Sequence, residues 1–197
     1  QLNKANVTAG SISVRSRFNP NSEGAVAVLG SPCSGGEVKN NKIKVKASQY
    51  SLNVNTVFAT MAGSSKASIN ASGIIASGAV DILNDAKSFA KAYTEADDAN
   101  VGLVGVGVIV VNSFANGNFD AYVSNSEVEA GSLAVRSNVT ARSEAIAEQP
   151  CVGVSLAEVN INVVKAETGM KNNAYIKNSE LTVGGSANIY GAVYGIH

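Results

Sequence analysis

The chain of 197 residues is poor in the residues that build catalytic sites and bulky cores. It has no Trp, three Pro and one His, at position 197. Charged residues make up 15% of the chain, below the usual quarter or so, and the 15 Lys and Arg balance the 15 Asp and Glu. Because no basic block occurs, we expect no nucleic-acid partner. No apolar run reaches about 18 residues, so the sequence predicts no membrane span.

Candidates for enzymatic chemistry are also few. The chain has no internal His and no Gly-rich phosphate loop, so we expect no catalytic residues and no cofactor. Asp81 and Asp85 lie four residues apart, on one face of a predicted strand, and such a pair suits acid–base work. The alternative is a pair of solvated carboxylates. The acidic turn from Glu95 to Asn100 lacks the Gly-Gly-x-Gly-x-Asp repeat of calcium-binding β-structures, so we expect no metal.

What the sequence does have is an internal repeat. The stretch from Asp120 to Gly131 returns as Asn173 to Gly184, so that Tyr122 and Asn125 recur 53 residues later as Tyr175 and Asn178. Two weaker copies lie earlier in the chain, at Lys4 to Gly10 and at Ser72 to Gly78. Such periods indicate stacked units that bury a continuous core only against their neighbours. We therefore predict one domain, 1–197, with repeat copies at roughly 2–68, 69–122, 123–175 and a partial copy at 176–197.

The repeated Tyr and Asn residues have two interpretations. If the copies stack in register, Tyr122 lies beside Tyr175 and Asn125 beside Asn178, and the rows stabilise the stack through ring stacking and amide hydrogen bonds. Alternatively, an exposed row of aromatic and polar side chains binds glycans.

The third copy shows its secondary structure most plainly. From Leu133 to Ala147, apolar and small residues alternate with Arg142, Glu144 and other polar residues, and this period of two is typical of a strand with one buried face. We predict an all-β fold, a parallel β-solenoid of about four tandem repeats that is flattened if its strands are long. Whether each repeat makes one wide coil or two narrow ones stays open. A stack of antiparallel hairpins is a further alternative.

One run departs from this alternation. Val101 to Val111 is apolar on both faces, with an outer set formed by Val104, Val106, Val108 and Val110. Either a neighbouring segment covers this set, such as the insertion expected between Gly30 and Lys46, or the set is a patch that binds a partner.

The two cysteines, Cys33 and Cys151, occupy matching places after Pro in the first and third copies. One copy lies between them, which separates them by at least two strand spacings, roughly 9.5 Å. Since a disulfide needs Cα atoms within about 7 Å, we expect no bridge within the chain. A bridge between chains stays open.

Three features together resemble a known family. They are Asn125 to Val135 followed by an alternating Ala/Ser-rich strand, Gly105 to Asn112, and the triplets Ala-Tyr-Val and Ala-Tyr-Ile around Tyr122 and Tyr175. They are similar to the repeats of leukotoxin-type filamentous adhesins, which are very large exported proteins of Gram-negative anaerobes. The resemblance implies a parallel β-solenoid that is secreted or displayed on the bacterial surface, with a role in adhesion or toxicity. It supplies no catalytic residues.

Three functions follow as expectations. The first is a non-enzymatic structural and adhesive segment of an exported bacterial surface protein, whose partner is a host surface protein or glycan. The second is a secreted polysaccharide-active β-helix enzyme, which would need converging carboxylates in a groove. The third is a self-assembling extracellular fibre subunit, in which open strand edges bind neighbouring copies of the chain.

Overall fold

The computed structural model describes residues 1–19, 21, 24–30, 47–95, 99–147 and 152–195. These residues form strands, turns and bends and include no helix. The predicted all-β class is therefore confirmed. The strands are β1 (Leu2–Asn3), β2 (Asn6–Ala9), β3 (Ile12–Phe18), β4 (Gly24–Gly30), β5 (Ala47–Asn70), β6 (Gly73–Glu95), β7 (Ala99–Ser124), β8 (Glu127–Ala147), β9 (Val152–Lys177), β10 (Glu180–Val183) and β11 (Ala187–Gly195).

The strands form two sheets. The first sheet has the order β1-β5-β7-β9. The second has the order β10-β8-β6-β2, with β11 also beside β8, and with β3 and β4 also beside β6. The pairs between these strands are all parallel, so the alternative of stacked antiparallel hairpins is wrong. The chain alternates between the sheets from β4 to β10.

The register follows the sequence repeat. Strands β7 and β9 pair along their whole length with a constant offset, which places Val111 beside Val164 and Tyr122 beside Tyr175. Strands β6 and β8 pair in the same way, apart from one register shift after Ala76. Each interval of about 53 residues thus contributes one long strand to each sheet. We call a set of residues aligned across neighbouring strands a row.

The core lies between the sheets and is built from small and β-branched side chains. Alternate residues of β6, β7 and β8 point inward and are buried, as the period of two in the sequence predicts. Ile82 and Val135 are fully buried neighbours in one row of the second sheet, and Val123 is fully buried in the first sheet. Parallel sheets need such cover, since each strand buries at least one face.

Two glycines admit the aromatic rings of the core. A Cβ at Gly63 would overlap the ring of Phe18, and a Cβ at Gly117 would overlap the ring of Phe119. The two rings lie with their centroids 5.5 Å apart. The glycines therefore leave the space that the rings fill between closely approaching sheets.

Hydrogen bonds between polar side chains also lie in the core, one between the sheets and one within the second sheet. Ser65 Oγ of the first sheet donates to Asn84 Oδ1 of the second at 2.6 Å, and Asn84 Nδ2 donates to Ser137 Oγ at 3.3 Å. Asn84 and Ser137 are fully buried. Because a buried amide without partners is costly, these bonds favour one alignment of the two sheets.

Some expectations concern residues outside the described ranges. They are Cys33 and Cys151, the insertion between Gly30 and Lys46, and most of the acidic turn from Glu95 to Asn100.

Candidate functional site

Four corners join the first sheet to the second, and each is a pair of residues. They are Lys4–Ala5, Ala71–Ser72, Asn125–Ser126 and Asn178–Ser179, which follow β1, β5, β7 and β9. The first residue of each pair has a left-handed backbone, with φ between 48° and 53°. Asn adopts this conformation more readily than other non-Gly residues. The repeated Asn125 and Asn178 therefore mark a backbone requirement that recurs in every copy.

The serines of the corners form a continuous ladder. Ser72 N donates to Ser126 Oγ at 3.1 Å, and Ser126 N donates to Ser179 Oγ at 3.2 Å. Each hydroxyl also donates to the carbonyl two residues before it, as Ser126 Oγ does to Ser124 O at 2.7 Å. Ala5 N begins the ladder by donating to Ser72 Oγ at 3.2 Å. Every serine thus supplies an acceptor that the corner before it needs.

Backbone bonds run through the same corners. Ala71 N donates to Ser124 O, and Asn125 N donates to Lys177 O, both at 3.0 Å. Glu127 N donates to Ser72 O, also at 3.0 Å. The ladder of backbone hydrogen bonds therefore continues from one sheet to the other without a gap at the corners.

The Tyr residues of the repeat lie near the ends of β7 and β9, just before these corners, and the Asn residues are the first residues of two of the corners. The rings of Tyr122 and Tyr175 are stacked, with centroids 5.0 Å apart and planes 6° from parallel. Asn178 Nδ2 donates to Asn125 Oδ1 at 3.4 Å. The structure thus brings both predicted pairs together. Burial, followed by the negative charge of Asp120, raises the pKa of Tyr175.

Two members of the valine set, Val108 and Val110, lie on the outward face of the first sheet. Val108 and Val110 are half-buried, and their row partners in β9 are the exposed Ile161 and Val163. The side chains of Val104 and Val106 lie outside the described residues. Val159 is also exposed on this face. We call the five described residues the outer apolar strip, defined by Val108, Val110, Val159, Ile161 and Val163.

Asp81 and Asp85 lie on the outward face of the second sheet, where Asp81 is held by arginines. It accepts a hydrogen bond from Arg136, and Arg15 Nη2 lies 3.7 Å from Asp81 Oδ2. The hydrogen bond to Asp81 is the main cause that raises the pKa of Arg136. Asp85 is flanked in its row by Arg17 and Asn138. The two carboxylates are therefore placed on one face, and the structure surrounds Asp81 with positive charge.

Two shallow depressions open on the outer face of the second sheet. One, of about 300 Å³, is lined by Phe89, Val26 and Gly24 and by a charged group in which Glu144 pairs with Arg142 at 3.0 Å and with Lys91 at 3.5 Å. The other, of about 250 Å³, is lined by the first residues of β2, β6 and β8, namely Asn6, Val7, Thr8, Gly73, Ile74, Ile75, Glu127 and Glu129. Neither depression contains Asp81 or Asp85.

Strand edges are open at two places within the described part of the chain. Strands β10 and β11 pair only with β8, and β9 pairs only with β7, which leaves what we call the upper edge. Strand β1 pairs only with β5, and strands β2, β3 and β4 pair only with β6, which leaves what we call the lower edge. An open edge presents unpaired backbone groups to another strand.

Sequence reasoning missed two of these features. The serine ladder was visible in the recurrence of Ser126 and Ser179, but hydroxyl partners between copies cannot be assigned from one strand pattern. The pairing of Asp81 with Arg136 joins residues 55 positions apart, so no local motif indicates it.

Among the described residues, no group of three or more His, Cys, Asp or Glu side chains is placed to hold a metal ion. Within the same ranges, no helix has the length and apolar character to cross a membrane. Comparisons with protein-family models, with curated proteins and with solved structures found no match to this chain.

Proposed function

We propose that the two sheets are the opposite sides of a flattened parallel β-solenoid with one wide coil per interval of about 53 residues. We propose further that this solenoid is a non-enzymatic structural and adhesive segment of an exported bacterial surface protein. The observation that carries the proposal is the ladder of corners. Four copies of one corner, with one backbone conformation, stack directly on one another and exchange hydrogen bonds.

Such stacking supports a stiff stalk. Each coil covers the next and pairs with it through backbone hydrogen bonds along the strands. Bending the stack therefore requires many of these bonds to lengthen together. Side-chain rows add to this, since Asn173 Nδ2 donates to Asp120 Oδ1 at 2.9 Å and the rings of Tyr122 and Tyr175 stack. The sequence needs few bulky or charged residues for this structure, in agreement with its composition.

The adhesive part of the proposal rests on the outer apolar strip. Ile161 and Val163 are about half exposed on the outward face of the first sheet. Contiguous apolar surface of this kind is typical of interaction sites. We propose a host surface protein or glycan as the partner. A polysaccharide-active enzyme is disfavoured, because Asp81 forms ion pairs with Arg15 and Arg136 and lines neither depression.

Surface display is tested with antibodies raised against the purified chain. Labelling of intact cells of the producing organism, lost after brief protease treatment, supports the proposal. Labelling that requires permeabilised cells overturns the exported location.

Adhesion is tested by the binding of the purified chain to host cells and glycan arrays. Ile161→Asp places a charge within the outer apolar strip and should weaken binding at least about tenfold. Asn112→Asp is the matched control, since this half-buried residue lies on the same sheet face outside the strip. Equal binding by both variants would show that the outer apolar strip is not the adhesive surface.

A further inference from the structure

We propose that the larger depression on the second sheet binds a glycan through a sugar residue that carries a carboxylate. The depression is lined by Gly24 and Val26 of β4, Phe89 and Lys91 of β6, and Arg142 and Glu144 of β8. It lies on the other sheet from the outer apolar strip. The proposal therefore adds a second binding site, which is independent of the surface proposed above for adhesion.

The depression is built on two neighbouring rows of the outward face. The first row consists of Gly24, Phe89 and Arg142, and the second of Val26, Lys91 and Glu144. Because Gly24 has no side chain, it leaves space beside Phe89 in the first row. The result is a depression of about 300 Å³. Ligand sites commonly have about 300–1,000 Å³, so this one suits a single sugar residue of a longer glycan.

Further coils at either end of the chain would not cover the depression. Its middle is supplied by β6, which lies between β4 and β8. The side chains that line it stand roughly perpendicular to the sheet, on the outward face. A strand added at the upper or the lower edge would extend the sheet sideways, at a spacing of about 4.8 Å, and would leave this face open. The site is thus compatible with a segment inside a longer chain.

Two cations and one carboxylate give the depression a net positive charge. Glu144 pairs with Arg142 at 3.0 Å and with Lys91 at 3.5 Å. The side chains of Arg142 and Lys91 remain 47% and 42% exposed, so both are accessible to a ligand. Arg142 contacts Glu144 through Nη2, and its planar guanidinium carries further N–H groups that suit a ligand carboxylate. Lys91 Nζ is also held 4.9 Å from the centre of the Tyr93 ring.

The rest of the lining favours a sugar over other anions. Phe89 and Val26 supply apolar surface, against which the carbon-bound hydrogens of a sugar ring can pack. The carboxylate of Glu144 accepts hydrogen bonds from hydroxyl groups, of which a sugar has several. Glu144 would also repel additional negative charges, which disfavours sulfated and phosphorylated ligands. An apolar face, hydroxyl groups and a single carboxylate occur together in sialic acids and in uronic acids.

Isothermal titration calorimetry of the whole 197-residue chain tests the proposal. Sialyllactose and a hyaluronan hexasaccharide are the acidic probes, and lactose is the neutral counterpart. We expect at least one acidic probe to bind at least about tenfold more tightly than lactose, because lactose lacks the charge-assisted hydrogen bonds of the carboxylate. Tighter binding of sialyllactose identifies a terminal sialic acid as the ligand, and tighter binding of hyaluronan identifies a uronic acid within a chain.

Two variants locate the site. Arg142→Gln removes the charge and should weaken binding of the acidic probe at least about tenfold. Arg17→Gln is the matched control, because Arg17 is an exposed cation on the same face outside the depression, and it should bind like the original chain. Gly24→Leu fills the depression and should weaken binding to a similar extent. A Cβ at Gly24 would lie no closer than 3.4 Å to Phe89, an ordinary contact, and circular dichroism checks that the sheets are retained.

The outcomes separate this inference from the proposed function. Ile161→Asp should bind the acidic probe like the original chain, because Ile161 lies on the other sheet. Equally tight binding of lactose, of a tetraglutamate peptide or of a sulfated heparin hexasaccharide would overturn the carboxylated sugar as the ligand. Equal weakening by Arg142→Gln and Arg17→Gln would overturn the location. A folded chain that binds no acidic probe contradicts the site and leaves the solenoid and the outer apolar strip intact.

Discussion

The hydroxyl of Ser126 should contribute strongly to stability, although the side chain is small. Its oxygen accepts the hydrogen bond from Ser72 N at 3.1 Å, and its O–H donates to Ser124 O at 2.7 Å. Ser72 and Ser126 are both buried. Ser126→Ala therefore removes both bonds and leaves the Ser72 N–H without its partner and shielded from water.

The magnitude follows from what each group retains. Ser124 O keeps the bond from Ala71 N at 3.0 Å, so its loss is small. The Ser72 N–H loses its hydrogen-bond acceptor, the Ser126 hydroxyl. An unsatisfied buried donor costs about 1–3 kcal/mol. We expect Ser126→Ala to lower the free energy of unfolding by about 1–3 kcal/mol, which is several times the effect of an ordinary surface substitution.

Urea denaturation followed by circular dichroism measures this change. The midpoint should fall while the slope stays constant, because the area exposed on unfolding is unchanged. Ser64→Ala is the matched control, since Ser64 is exposed on β5, and its effect should stay within about 0.5 kcal/mol. If the two variants were equally stable, the serine ladder would not hold the corners together and the reasoning would be refuted.

Three further predictions concern the corner backbone, the core and pH. Ala71→Gly should raise the free energy of unfolding by about 0.5–1 kcal/mol, because Ala71 has φ 48°. Ala62→Gly, within a strand, should lower it by a similar amount. Urea denaturation of both variants measures these changes, and a shift of the same sign in both would contradict the prediction. Gly117→Ala should lower the free energy of unfolding by about 1–3 kcal/mol, because the added methyl group would overlap the Phe119 ring. Gly10→Ala is the control, since its methyl group meets open space and should leave stability unchanged. Equal melting temperatures of the two variants would contradict this prediction. The pKa of Tyr175 is raised in the fold, so the unfolded chain loses the phenolic proton at a lower pH than the folded chain does. The free energy of unfolding should therefore fall as pH rises above about 10. Urea titrations across that range should show a smaller fall for Tyr175→Phe.

The all-β class and the partner rows were predictable because both depend on period. The alternation from Leu133 to Ala147 indicated a strand with one buried face, and β8 has that burial pattern. The recurrence of Tyr122 as Tyr175 predicted neighbouring positions, and the two rings stack. Repeats reveal contacts between distant residues when identical side chains meet, since the same residues then appear twice in the sequence.

The remaining features required the three-dimensional alignment. Ala71 itself does not indicate a left-handed backbone, because Gly and Asn are the usual markers and neither stands at that position. From the sequence, Gly63 predicts a position where the strand is less stable, but in the structure it leaves room for the ring of Phe18 from the other sheet. Such contacts join unlike residues far apart in the chain, so neither period nor local composition reveals them.

The most direct test of the stacked arrangement is disulfide formation between Asn112→Cys and Lys165→Cys in one chain that lacks Cys33 and Cys151. These positions are row partners on the outward face of β7 and β9, 53 residues apart in the sequence. The account predicts rapid crosslinking for this pair and little for Asn112→Cys with Gly169→Cys, which is displaced by about 13 Å along the strand. Equal crosslinking of the two pairs, or none in either, would contradict it.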